Sequence, residues 1–180
     1  MRLHLLALAL ALGAALAACE TMSEDQCRRA SGADWFERGR ADGRNGEPES
    51  HLEAHRKACA KSGVVPDERR WRQGWVDGAR AYCVPAAAWR AGLDNRGYRG
   101  ACRDFDEAVF LRWHRLGQDA YKTKSERDAK QREITKLEDQ LKKAEKEDER
   151  KALREKIRQL DGEQARLRRL LDMQMGAAPR

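Results

Sequence analysis

The sequence has few aromatic residues and few prolines, and it has no apolar run long enough to cross a membrane. Aromatic side chains make up 6% of the 180 residues and charged side chains make up 37%, a balance that argues against one large apolar core. The longest apolar run, from Leu5 to Leu16, has about 12 residues, whereas a transmembrane helix needs ~20. We therefore expect small cores between packed helices.

Sequence motifs for known enzyme chemistries are also missing. The chain has no nucleophile elbow, no phosphate-binding glycine loop and no paired CxxC motif. Asp42 and Asp77 recur in matching positions, and paired carboxylates could act as general acid and base. Aspartate is equally common near glycine-rich helix ends, where its oxygen accepts backbone hydrogen bonds. We therefore predict no enzyme activity, no catalytic residues and no dissociable cofactor.

The N-terminal stretch has the features of an exported precursor. Arg2 precedes the apolar run, and small residues then lead to Cys19, as in a signal peptide. Residues 16–19, Leu-Ala-Ala-Cys, resemble the lipobox of bacterial lipoprotein precursors. That resemblance implies cleavage before Cys19 and covalent lipid on this cysteine. We assign residues 1–18 to a lipoprotein signal peptide and residues 19–23 to an acylated tether.

The same resemblance implies a location. A lipidated protein would be held in the bacterial cell envelope by its acyl chains. Glu20 follows the lipidated cysteine, whereas enteric-type lipoproteins that stay at the inner membrane tend to have Asp there. We therefore favour the outer membrane, with the protein facing the periplasm.

The cysteine count fits export. Cys19 is accounted for by lipid, and four others remain, which in an oxidising compartment predicts two disulfides. Four cysteines allow three pairings. We favour Cys27 with Cys59 and Cys83 with Cys102, because each pair is adjacent in the chain and flanks one plausible helical connection.

A metal site is the alternative use of one cysteine. His51, His55 and Cys59 are spaced by four residues, which places them on one face of a helix. Two imidazoles and a thiolate could bind zinc in an envelope enzyme. Cys59 is also needed for the even disulfide set, and a fourth ligand is not evident, so we favour no metal.

Glycine and tryptophan recur between residues 33 and 121. Gly39 with Gly43, and Gly74 with Gly78, belong to two copies of the pattern Gly, two residues, Asp, Gly. Glycines four residues apart share a helical face, and each interior glycine costs about 1 kcal/mol relative to alanine. The pattern therefore favours close packing of two helices beside tryptophan, and helix-ending glycines are the alternative.

The order of these and other residue types resembles a known family, the domain of unknown function 2799, over roughly residues 24–121. The residues that carry the resemblance are Cys27, Trp35, Gly39, Asp42, Gly43, His55, Cys59, Gly74, Gly78, Tyr82, Cys83, Gly92, Gly97, Tyr98, Cys102, Phe110 and Gly117. The family implies an exported, acylated protein with disulfides, and it brings no established activity.

Composition changes after Tyr121. Residues 122–173 are rich in helix-forming side chains, and they predict a long basic helix before a flexible tail at residues 174–180. Apolar residues follow coiled-coil spacing in two frames, which do not join because nine residues separate Ala144 from Leu153. We favour self-association or a partner helix. The alternatives are a solitary helix and a fold-back through residues 145–151, a segment without a turn residue.

Positive charge is concentrated in the same region. The net charge is +7, and residues 122–180 hold 18 basic and 13 acidic side chains. An exported protein does not meet nucleic acid, so an anionic envelope polymer is the more suitable charged partner. The candidate residues for that polymer are Arg150, Lys151, Arg154, Arg158, Arg166, Arg168 and Arg169.

Together these observations predict a mainly α-helical protein, with a small disulfide-bonded helical domain at residues 24–121 followed by a long C-terminal helix that could form a coiled coil. The expected function is that of a membrane-anchored envelope lipoprotein with a structural or protein-interaction role. The alternatives are a metal-binding or hydrolytic enzyme that uses His51, His55 and Cys59, and a binder of anionic polymers.

Overall fold

The computed structural model describes residues 21–179, and the described chain is helical. The signal peptide and Cys19 assigned from the sequence lie outside these residues, as does Arg180. The prediction of a mainly α-helical fold is confirmed. The helices are α1 (Glu24–Arg29), α2 (Gly32–Arg44), α3 (Leu52–Ala60), α4 (Glu68–Tyr82), α5 (Pro85–Leu93), α6 (Glu107–Lys143) and α7 (Glu147–Gly176).

The described residues divide into two compact units, one that ends at Tyr82 and one that begins at Cys83. Helices α1 to α4 belong to the first unit, and α5 to α7 belong to the second. The boundary falls inside residues 24–121, the segment for which we expected one helical domain. Within residues 21–179, no helix combines the length and the apolar character that crossing a bilayer requires.

Short polar side chains mark where several helices begin. Ser23 and Ser31 each form a capping box at the start of α1 and α2, which satisfies backbone N–H groups that have no partner within the helix. The Asp67 carboxylate accepts a 3.0 Å hydrogen bond from the backbone N–H of Arg70, and Asp106 does the same for Val109 at 3.2 Å.

Proline lies at the start of two other helical segments. Pro48 precedes a 3₁₀ turn, Glu49–His51, that leads into α3, and Pro85 begins α5. Proline suits the first helical position, since its missing N–H would have no helical partner there.

The glycine pattern brings α2 and α4 into close contact, as the sequence predicted. A Cβ atom at Gly39 would overlap the carbonyl oxygen of Trp71, and one at Gly74 would overlap that of Phe36. Gly43 and Gly78 lie equally close to the opposite backbone. The helix-ending alternative applies to Gly46 instead, which follows α2 with a φ of 74°.

The second unit has the same close backbone contact at glycines, between α5 and α6. A Cβ atom at Gly92 would overlap the carbonyl oxygen of His114, and one at Gly117 would overlap that of Trp89. The indole of Trp89 packs with Ala120 and Leu171 in a small apolar cluster. Each unit therefore contains a pair of helices whose backbones meet at glycines.

The C-terminal region folds back on itself as α6 and α7. Ile134 and Leu137 on α6 pack against Leu160 on α7, and only residues 144–146 separate the two helices. The apolar stripe that we expected to meet a partner helix is therefore buried within the chain. The fold-back, which we considered less favourable, is the arrangement that the structure shows.

The break between α6 and α7 has a physical cause in the shifted apolar frames. Nine residues span about two and a half helical turns, so the stripes before Ala144 and after Leu153 would lie on opposite sides of one continuous helix. A fold-back lets the stripes face each other. The turn needs no glycine, because Arg150 Nη1 donates 3.1 Å hydrogen bonds to the carbonyl oxygens of Leu141 and Ala144.

Candidate functional site

The first unit encloses a polar cluster formed by Asp42, His55 and Trp71. These residues come from α2, α3 and α4 respectively, and they retain 5%, 0% and 0% of their accessible surface. The disulfide Cys27–Cys59 links α1 to α3 and holds α3 in place beside the cluster. Its presence confirms one of the two predicted pairings.

Hydrogen bonds join the three side chains of the cluster and tie it to the chain before α1. Asp42 Oδ2 lies 2.8 Å from His55 Nε2, and it accepts a 2.8 Å hydrogen bond from Trp71 Nε1. His55 Nδ1 accepts a 3.3 Å hydrogen bond from the backbone N–H of Met22. Because Nδ1 is an acceptor, the proton of a neutral imidazole lies on Nε2, which donates it to Asp42.

The metal candidate proposed from the sequence requires correction. Cys59 is bonded to Cys27, so it cannot act as a thiolate ligand. The structure instead places Asp42 with His51 and His55, so that one ligand atom of each lies within 4.8 Å of the others. His55 Nε2 would have to lose its proton to bind a metal, and the Met22 N–H opposes a proton on Nδ1. The hydrogen bonds therefore favour a structural cluster.

The cluster extends to a partly exposed rim at His51. His51 Nδ1 lies 3.6 Å from Glu47 Oε2, and the two side chains are 16% and 6% exposed. The rings of His51 and His55 meet edge to face at 5.0 Å. Trp75 Nε1 donates a 2.8 Å hydrogen bond to the backbone oxygen of Glu47. The rim is thus fixed to α4 as well.

The two repeated aspartates are not equivalent in the structure. Asp42 is buried, whereas Asp77 is exposed on α4, so the repeats place their carboxylates in different surroundings. The sequence pattern pointed to Asp42 but missed its partners. Trp71 belongs to the recurring tryptophan pattern, and that recurrence was the available signal. Met22 takes part through its backbone, which no residue pattern predicts.

The second unit has a separate polar site near its disulfide, Cys83–Cys102, which is the other predicted pair. Tyr98 donates a 2.6 Å hydrogen bond to Glu107 and accepts one of 2.9 Å from the Cys102 N–H. Burial and the bond to Glu107 raise the pKa of Tyr98 to about 12. These bonds hold the loop between α5 and α6.

The seven basic residues predicted to bind a polymer lie in different charge environments on α7. Arg150 and Arg154 form ion pairs with Glu147, and Arg158 pairs with Glu155. The remaining four have no carboxylate within the 4.0 Å ion-pair distance among the residues that the structure describes: Lys151, Arg166, Arg168 and Arg169.

Comparison with known protein families gives a match over the part of the chain that contains these sites. Residues 34–119 match the family described as "Protein of unknown function (DUF2799)", in agreement with the resemblance seen in the sequence. The matched segment includes Asp42, His55 and Trp71. No curated protein and no solved structure matches the chain.

Proposed function

We propose that this protein, whose residues 34–119 match the DUF2799 family, is a bacterial envelope lipoprotein with a structural or protein-interaction role. Acyl chains on Cys19 would anchor it, with the outer membrane and the periplasmic side favoured. The observation that carries the proposal is the use of cysteine. All four cysteines after Cys19 are paired, as expected in an oxidising compartment, which leaves Cys19 for lipid.

The shortness of the tether, residues 19–23, supports a position of the folded unit close to the membrane. Met22 is 6% exposed, and its N–H bonds to buried His55, so the folded unit begins three residues after Cys19. Three extended residues reach about 10 Å. Two or more acyl chains make such anchoring stable, whereas one chain alone binds weakly.

The burial and hydrogen bonds of the polar cluster support a structural role for Asp42 and His55, the residues that most resemble a catalytic set. His55 has no exposed surface, and both of its ring nitrogens have partners. A general base must reach the proton that it abstracts, and a fully enclosed ring reaches only its own neighbours. We infer that Asp42 and His55 join α2, α3 and the tether. Contact with a partner protein would then use exposed helix faces.

The proposal is tested by following the protein through fractionation of cells that express the full chain. We expect the wild-type protein in the outer-membrane fraction with incorporated palmitate. The Cys19→Ser variant should lose the palmitate label. The matched control is Cys83→Ser with Cys102→Ser, which removes two cysteines and should keep the label. Palmitate labelling of Cys19→Ser would refute the proposal.

A further inference from the structure

We propose that the C-terminal end of α7 is a second membrane-binding surface, which lies on the interface of a bilayer that contains anionic phospholipid. The surface consists of Arg166, Arg169, Leu170 and Met173, and we call it the basic apolar face. This inference rests on the proposed envelope location. It is independent of the lipid on Cys19, so the two can fail separately.

The four residues share one side of the helix. Arg169, Leu170 and Met173 follow Arg166 by three, four and seven residues, which is the spacing of one helical face. The buried residues of this part of α7 are Gln164 and Leu171, and Leu171 packs into the cluster with Trp89. The basic apolar face therefore points away from the core of the unit.

The positive charge on this face is available to a ligand. Arg166 and Arg169 are exposed and have no ion pair within 4.0 Å among residues 21–179. Glu163, three residues before Arg166, is paired with Lys130 at 2.8 Å. Lys130 is the main cause of the lowered pKa of Glu163, and Arg166 contributes less. Earlier on α7, Arg154 and Arg158 are instead paired with glutamates.

Exposed apolar side chains accompany these cations. Met173 is 65% exposed and Leu170 is 41% exposed, although both are large and apolar. A soluble anionic polymer would satisfy the arginines but would gain nothing from Leu170 and Met173. A bilayer interface satisfies both, because phosphates meet the guanidinium groups and the apolar side chains enter the acyl boundary. This combination favours a membrane over a polymer.

The test measures vesicle binding by the chain from residue 19 onward, with Cys19→Ser so that no acyl chain contributes. Vesicles of phosphatidylglycerol with phosphatidylethanolamine should bind the protein, and vesicles of phosphatidylcholine should not. Arg166→Gln with Arg169→Gln should weaken binding roughly 25-fold, because each basic residue near an anionic surface contributes a factor of about five. Leu170→Gln with Met173→Gln should also weaken it.

The matched control is Arg154→Gln with Arg168→Gln, which removes the same charge from α7 outside the basic apolar face. It should bind vesicles within about threefold of the parent protein, because the contribution of each cation depends on its distance from the surface. Equal loss in the control and the test variant would overturn the proposal. So would absence of binding, or binding that polyphosphate abolishes while Leu170→Gln with Met173→Gln has no effect. Lipid on Cys19 is measured separately and affects none of these outcomes.

Discussion

Asp42 is a carboxylate held almost completely out of water, and this position requires compensating hydrogen bonds. Burying a charge is unfavourable unless hydrogen bonds or an opposite charge replace the lost water. His55 and Trp71 both donate to Asp42 at 2.8 Å. These bonds connect three helices through one oxygen atom, so Asp42 is expected to stabilise the first unit far more than an exposed aspartate does.

Substitutions at the two repeated aspartates test whether the stability effect comes from burial in the cluster or from the shared sequence pattern. Asp42→Ala should lower the free energy of unfolding by about 3 kcal/mol, because it leaves the N–H groups of His55 and Trp71 buried without an acceptor. Asp77→Ala, at the matching position of the other repeat, should change it by less than about 0.5 kcal/mol, because Asp77 is exposed. Urea unfolding measures both. Equal effects would contradict the structural role of the cluster.

Tyr98 provides a second prediction for a single residue. Its pKa is raised to about 12 by burial and by its bond to Glu107. The folded state therefore keeps the phenol proton more tightly than the unfolded state, so the associated stability is present below pH ~10 and decreases as the pH rises toward about 12. Ultraviolet titration should show late ionisation of tyrosine, and Tyr98→Phe should reduce its amplitude by one phenol. An unchanged titration curve would contradict the assignment.

At the scale of helices, close packing at glycine explains how α2 and α4 approach each other. Each interior glycine weakens its own helix by about 1 kcal/mol, and the contact between backbones offsets that loss. The sequence predicted this contact because glycines four residues apart produce a smooth helical face. It could not predict which oxygen each glycine meets, since that depends on the crossing of the two helices.

Two glycine-to-alanine substitutions should therefore have opposite effects. Gly39→Ala should lower the free energy of unfolding by about 3 kcal/mol, because its Cβ would overlap the Trp71 carbonyl oxygen. Gly162→Ala in α7 should raise it by about 0.5–1 kcal/mol, because its Cβ would meet open space. Thermal unfolding of the two variants measures the difference. A stabilising Gly39→Ala would show that α2 and α4 do not meet at this glycine.

The fold-back of α6 and α7 shows where sequence reasoning failed. The absence of a turn residue in residues 145–151 made a break appear unfavourable. The decisive features were the half-turn shift between the two apolar stripes and the capping of α6 by Arg150. The shift is visible in the sequence, but the capping bonds require Arg150 to reach back from the next helix, and residue spacing does not reveal that.

For the whole molecule, the sequence indicated the helical class and the pairing of the four cysteines. It missed the division into two units, which falls between Tyr82 and Cys83, because both sides have the same glycine and tryptophan pattern. It also kept Cys59 as an alternative metal ligand with His51 and His55, and the disulfide with Cys27 that the sequence favoured removes Cys59 from that set, while Asp42 bonds to His55 instead. Such assignments depend on three-dimensional neighbours that come from distant parts of the chain.

The most direct test of the account is the mass of the protein extracted from membranes without reduction, with peptide mapping of all five cysteines. We expect a chain that begins at Cys19 and carries lipid there, with Cys27 bonded to Cys59 and Cys83 bonded to Cys102. An unmodified Cys19, or free thiols at the other four positions, would contradict it.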